Sequence, residues 1–142
     1  MNTPYPVPIS VKGIVFEEGA VWLRKNERGE WELPGGKLDQ GEQPTETVVR
    51  EMEEELGLRV TSGDLVDAYL YTIELSSDEE RGVLVLSYAC EVVERVGDVE
   101  HLGEAGKAEF ECVPLEELET LRMPEFYKEA IRRANEVQNS KR

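Results

Sequence analysis

Apolar and polar positions change period several times along the chain. In PTETVVREMEEEL, Val48, Val49, Met52 and Leu56 stand at i, i+1, i+4 and i+8. At about 100° per residue they form one stripe, which predicts a helix with a single buried face. Its ends are marked too. Gln43 stands at the N-cap, Pro44 suits the first helical position, Glu46 meets the positive end of the helix dipole, and Gly57 supplies the stop.

Elsewhere the pattern is strand-like. Val7 to Phe16 and Ala20 to Lys25 read as the first two strands, with turns at Gly19 and at the Asn26 to Glu30 stretch NERGE. Glu30 to Leu33 reads as a third strand ending at Pro34. Arg59 to Gly63 and Leu65 to Glu74 alternate as two further strands, which place Tyr69 and Tyr71 on the same side. Ser76 to Arg81 is a polar connector. The near-continuous apolar run Gly82 to Val93 predicts a central strand. Val96 to Ala108 reads as a loop and Phe110 to Val113 as a strand. Pro114 to Leu121 begins a short helix. Glu125 to Val137 carries Phe126, Ala130, Ile131, Ala134 and Val137 at helical intervals and should cover the face opposite the first helix. One early helix and one or two late ones among these strands give an α/β fold, an α/β/α sandwich around a mixed β-sheet.

Composition narrows the function. A chain of 142 residues with 39% hydrophobic content suits one domain over residues 1–142. The net charge of -15 leaves no basic patch for a nucleic acid polymer or an anionic membrane. No run approaches a membrane span and MNTPYPVPIS lacks the regions of a signal peptide, so a cytoplasmic protein is expected. Cys90 and Cys112 lie apart in apolar strands and read as buried, reduced thiols.

The predicted helix also carries chemistry. With Glu51 as origin, Glu55 lies about 40° round the helix and Glu54 about 60° the other way, whereas Glu53 is about 160° off. Like charges at this spacing destabilise a helix by a few tenths of a kcal/mol per pair, and Arg50 offsets only part of that. A hard, oxygen-seeking Mg²⁺ or Mn²⁺ would offset the rest. With 26 glutamates in the chain, a merely solvated acidic face is the rival reading. The wider spacing decides against it. Gly36, Glu42, Arg50, Glu51, Met52, Glu54, Glu55, Gly57 and Leu58 satisfy all nine constrained positions of G-x5-E-x7-R-E-U-x-E-E-x-G-U, where U is apolar. The odds of chance agreement are on the order of one in a hundred thousand.

This stretch resembles the Nudix box. The resemblance implies a Nudix-type sandwich and a Mg²⁺- or Mn²⁺-dependent hydrolase that cleaves a diphosphate bond in a nucleoside diphosphate derivative. It implies that Glu51, Glu54 and Glu55 are metal-binding and catalytic carboxylates, and that the Gly35 carbonyl is a backbone metal ligand. Glu42 and Arg50 would brace loop to helix, and Lys37 sits where a phosphate contact can form. Members often add a glutamate from the later loop, for which Glu109 is preferred over Glu104. Arg24 and Lys25 lie where the family often places a phosphate-touching cation, and equally read as an exposed strand-end pair. His101 reads as a loop bystander, with a general base as the alternative. Trp22 and Trp31 read as packing residues, with base stacking as the lesser alternative.

The implied partner is a phosphorylated small molecule. Nucleoside triphosphates, nucleotide sugars and dinucleoside polyphosphates share the diphosphate, and the box does not choose among them. The absence of Pro between Arg59 and Val113 disfavours ADP-ribose, because family members acting on it often carry one there. The resemblance also allows a homodimer that completes the site across its interface. A nucleotide-sensing module on the same fold is the alternative function, although such proteins usually lack box glutamates that this chain retains.

Overall fold

β1 (Ile9–Glu17) and β2 (Ala20–Lys25) form a hairpin whose tight turn holds Glu18 and Gly19 at positive φ, 47° and 77°. The computed structural model describes residues 3–74, 76, 79–99 and 109–140. The remaining elements are β3 (Trp31–Glu32), β4 (Gly35–Lys37), α1 (Pro44–Leu56), β5 (Leu58–Glu74), β6 (Glu80–Arg95), β7 (Glu109–Pro114), a 3-10 helix (Leu115–Thr120) and α2 (Glu125–Ser140).

The sheet runs β3-β2-β1-β6-β5, with β4 added to β1 and β7 to β2. β1 and β6 are parallel and the other pairs are antiparallel, so the sheet is mixed. Alternation along β1 sorts its two faces. Val11 and Val15 pack with Val48, Met52 and Leu56 of α1. Ile14 packs on the other face with Tyr127, Ala130, Ile131 and Ala134 of α2. The helices therefore cover opposite faces, as the sequence pattern predicts. Tyr69 and Tyr71 both meet Phe126 of α2, at ring-centroid distances of 4.3 and 5.3 Å.

Several boundaries differ from expectation. β1 begins at Ile9 rather than Val7, after Pro8, whose ring has no N–H to give a ladder. The two strands expected between Arg59 and Glu74 are one 17-residue strand, with register shifts around Gly63 in place of a turn. β6 reaches back to Glu80, into the expected connector, because Glu80 pairs with Glu74 across a hairpin. The short helix expected after Pro114 is present, as a 3-10 helix. β4 is a strand of three residues, formed although a Gly-Gly pair has little strand propensity.

α1 is capped at both ends. The Glu46 carboxylate accepts the Gln43 N–H at 2.8 Å. Gly57 turns left-handed at φ 68°, and its N–H donates to the Glu53 carbonyl. Arg95 Nη1, from β6, donates to the Leu56 carbonyl at 2.9 Å. This cation at the negative end of the helix fixes α1 against the sheet and with it the angle of its acidic face.

Candidate metal centre

β4 lies antiparallel on β1, with Gly35 opposite Lys12 and Gly36 opposite Val11. Both glycines are required by space. Gly35 has φ 148°, and a Cβ there would stand 2.1 Å from the Val11 carbonyl oxygen and 2.9 Å from Lys12 Cα. A Cβ on Gly36 would stand 2.4 Å from Glu51 Oε1. The pair thus opens a gap through which the α1 carboxylates reach the β4 backbone. Glu55 Oε1 uses it to accept the Gly35 N–H at 3.0 Å.

Glu51 and Glu55 meet in that gap. Burial pushes the Glu55 carboxyl up to about 8, and its hydrogen bond with Glu51 and the Glu51 charge push the same way. Lys12 and the Gly35 N–H pull against them. Two touching carboxylates need either a shared proton or a cation. The two carboxylates offer hard oxygen donors that fit Mg²⁺ or Mn²⁺. Among the described residues, no three acidic, His or Cys side chains already converge as a cage. Of the three carboxylates expected to converge, Glu54 stands on the rim with 56% of its side chain exposed, against 14% for Glu51.

Arg50 holds this group together. Its Nε and Nη2 donate to the two Glu42 oxygens at 2.8 and 3.1 Å, a two-pronged contact between helix and loop. Nη1 donates to Glu51 at 3.1 Å and to Glu54 at 3.2 Å. Thr47 Oγ1 adds a third bond to Glu42 at 2.9 Å. The guanidinium holds the Glu42 carboxyl below its ordinary value, and Glu42 in turn raises Arg50. Glu42 therefore braces the loop against the helix.

The other expected residues lie further out. Lys37 ends β4, exposed. Arg24 is ion-paired with Glu32 on the neighbouring strand. Lys25 lies over the Trp31 ring, 5.6 Å from its centroid. Both cations are thus half-buried and partnered, so neither is the exposed strand-end pair of the alternative reading. Glu109 opens β7 opposite Lys25, exposed, with no hydrogen bond to the box glutamates. Glu104 and His101 lie outside the described residues. Cys90 and Cys112 are free, and burial raises their thiols to about 12 and about 11.

Two residues beside the centre escaped the sequence reading. Lys12 is 7% exposed, and burial lowers its amine while Glu32, Glu55 and Glu51 pull it back up. With Glu32 it lines a cavity of about 160 Å³ walled by Trp31, Tyr71 and Tyr127. A lysine inside the apolar run ISVKGIVF was the available signal, since a charge at the middle of a buried strand needs a reason.

Residues 6–134 match the model of the NUDIX domain. The chain is 37% identical over 84 residues to a MutT-like protein of Streptomyces ambofaciens, covering 58% of this chain and 50% of that protein. It is 44% identical over 45 residues to an 8-oxo-dGTP diphosphatase of Proteus vulgaris, covering 32% of this chain and 40% of that protein. The chain thus spans half or less of the length of these curated relatives. Among solved structures it is similar to the MutT protein of Methanosarcina mazei, with a TM-score of 0.67 and 27% identity over 96% of this chain and 99% of that one. A NUDIX hydrolase from Nitrosomonas europaea shares the fold, with a TM-score of 0.72 and 17% identity over 93% and 90% of the two chains.

Proposed function

The chain belongs to the Nudix family, and from that premise we propose that it is a divalent-metal-dependent hydrolase of a diphosphate bond in a nucleoside diphosphate derivative. The observation that carries this reading is the meeting of Glu51 and Glu55 in the gap cleared by Gly35 and Gly36. Glu51, Glu55 and the Gly35 carbonyl would hold Mg²⁺ or Mn²⁺. Such an ion neutralises the anhydride's negative charge and makes water a stronger nucleophile.

The chain's own groups supply orientation and proton transfer. Glu54, on the rim and aligned by Arg50, is the box carboxylate with open access to solvent, and it takes the proton from the attacking water. Arg50 keeps three carboxylates at fixed spacing, so the site does not spread when it is charged. Lys37, exposed beside the glycine turn, is placed to touch a phosphate. Glu109 is the auxiliary carboxylate. Relatives named 8-oxo-dGTP diphosphatase, RNA pyrophosphohydrolase and CTP pyrophosphohydrolase share the anhydride as the bond acted on. A net charge of -15 favours a small phosphorylated substrate over a nucleic acid polymer. No helix among the described residues is long and apolar enough to cross a membrane. A cytoplasmic location and a homodimer that completes the site across its interface belong to the same reading.

The test is hydrolysis of a nucleotide panel with Mg²⁺ or Mn²⁺, products identified by mass. Release of phosphate or diphosphate from at least one anhydride, lost in Glu54→Gln and Glu55→Gln, is expected. Wild-type protein inert to every anhydride with either metal would refute the proposal.

A further inference from the structure

Thr47 is a fully buried threonine inside α1, one helical turn before Glu51. Its hydroxyl has a single proton and two acceptors within reach, the Glu42 carboxylate at 2.9 Å and the Gln43 carbonyl at 3.3 Å. The Gln43 contact is the bond that a helical threonine commonly makes to the carbonyl four residues back. The Glu42 contact is shorter and its acceptor is charged, so the proton goes there. The hydroxyl thus joins the helix to the loop rather than to its own backbone.

The carboxylate that receives this bond also holds Arg50. Glu42 Oε1 accepts Arg50 Nη2 at 3.1 Å and its Oε2 accepts Nε at 2.8 Å. That two-pronged contact fixes guanidinium against carboxylate, yet both side chains are long, and the joined pair retains freedom to pivot as a unit. Thr47 is short and rooted in the helix, so its bond to Oε1 removes the pivot. A guanidinium is planar and rigid, and fixing Nε and Nη2 fixes Nη1 with them. Nη1 is the atom that reaches Glu51 at 3.1 Å and Glu54 at 3.2 Å. An unbroken chain of hydrogen bonds therefore runs from Thr47 through Glu42 and Arg50 to two of the box carboxylates.

We propose that Thr47 is a positioning residue for the metal centre, whose hydroxyl sets the spacing of Glu51 and Glu54 through Glu42 and Arg50 without touching ion or substrate. Its consequence for turnover rests on the metal-dependent hydrolase reading, whereas the ordering of Arg50 does not. The rival role for a buried threonine is to fill space. The two halves of the side chain separate these roles. Thr47→Val keeps the branched shape and loses the hydroxyl, and Thr47→Ser keeps the hydroxyl and loses the methyl group. Serine damages a packing role, because it leaves a small void. Valine damages a positioning role, because the carboxylate loses a donor that no neighbouring group replaces.

The experiment has a metal-free arm and a metal arm. In chelator, solvent exchange of the Arg50 Nε–H is followed by nitrogen-15 NMR, with Arg50→Lys identifying the signal. Exchange should quicken by at least about tenfold in Thr47→Val and stay near wild type in Thr47→Ser. In the second arm, Mn²⁺ binding is followed by electron paramagnetic resonance, which needs no turnover. Affinity should fall by at least about fivefold in Thr47→Val and stay within about twofold of wild type in Thr47→Ser, and kcat should follow the same order. In an Arg50→Lys background, Thr47→Val should change Mn²⁺ affinity by less than about twofold, because the chain is already broken. Circular dichroism checks that the variants fold, and Thr47→Ala, a stronger helix former that also lacks the hydroxyl, takes the place of valine if that variant does not. A wild type that binds no Mn²⁺ and cleaves no anhydride would sink the hydrolase reading, and the Arg50 exchange rates would still decide whether Thr47 orders the guanidinium. Unchanged exchange and Mn²⁺ affinity in Thr47→Val, or equal losses in Thr47→Ser, would overturn the positioning role and leave Thr47 a packing residue.

Discussion

The Glu55 carboxylate accepts the Gly35 backbone N–H at 3.0 Å, joining residues 20 apart in sequence. This bond ties the acidic face of α1 to the one strand whose glycines leave room for it. Glu55→Gln keeps an oxygen for the Gly35 N–H but removes the charge. Turnover with Mg²⁺ or Mn²⁺ should fall by at least about a hundredfold, while the fold survives. Unchanged kcat with intact circular dichroism would take Glu55 out of the mechanism.

The two glycines beside that bond should fail differently. A Cβ on Gly35 meets backbone, Val11 O at 2.1 Å and Lys12 Cα at 2.9 Å, and φ 148° is strained for any other residue. Gly35→Ala should therefore destabilise the protein by more than about 2 kcal/mol in urea unfolding. A Cβ on Gly36 meets the movable Glu51 carboxylate, Oε1 at 2.4 Å. Gly36→Ala should keep most of the stability and lose at least about tenfold in Mn²⁺ affinity, because the ligand is displaced. If both variants lost only stability, Gly36 would have no role in placing Glu51.

Arg50 offers a test of geometry against charge. Its guanidinium spans both oxygens of Glu42 while also reaching Glu51 and Glu54, which a single ammonium cannot do. Arg50→Lys should lower kcat by about tenfold or more. The ion pairs are partly exposed, so their loss should cost stability only about 0–1 kcal/mol. A large drop in melting temperature with normal kcat would make Arg50 a structural residue alone.

How much of this was legible depended on whether the determinant was local. The α1 stripe, its Pro44 start and its Gly57 stop are set within one helix, and Val48, Met52 and Leu56 are fully buried as their spacing requires. The opposite placement of α2 followed from the apolar stripe of Phe126, Ala130, Ile131 and Ala134. The motif spacing located Glu51 and Glu55. The rest depends on pairings that no short window contains. β4 exists because β1 lies beside it, and β5 runs unbroken past Gly63 because β6 supplies a partner along its length. Glu54 turned outward because Arg50 claims it, although its angle on the helix equals what convergence needs. Lys12 and Glu32 come together only when β1 and β3 face one cavity.

The shared position of Glu51 and Glu55 makes the metal-free protein sensitive to pH. Glu55 titrates at about 8 in the folded chain against 4.5 as its ordinary value, first because it is buried and then because Glu51 is its neighbour. Between these values the folded chain holds a proton that the unfolded chain has released. Folding stability from this group is therefore fully present below about 4.5 and is lost as pH rises through about 8. In chelator, the melting temperature of wild type should fall relative to that of Glu55→Gln from pH 5 to pH 8. A bound divalent ion must displace the same proton, so Mn²⁺ affinity should rise over that range. Near pH 7, calorimetry in buffers of different ionisation enthalpy should detect about one proton released per ion. Wild-type stability parallel to that of Glu55→Gln, together with Mn²⁺ binding that releases no proton, would mean that the two carboxylates do not share one. In that case the crowding in the glycine gap would not be what draws a cation to this turn of α1.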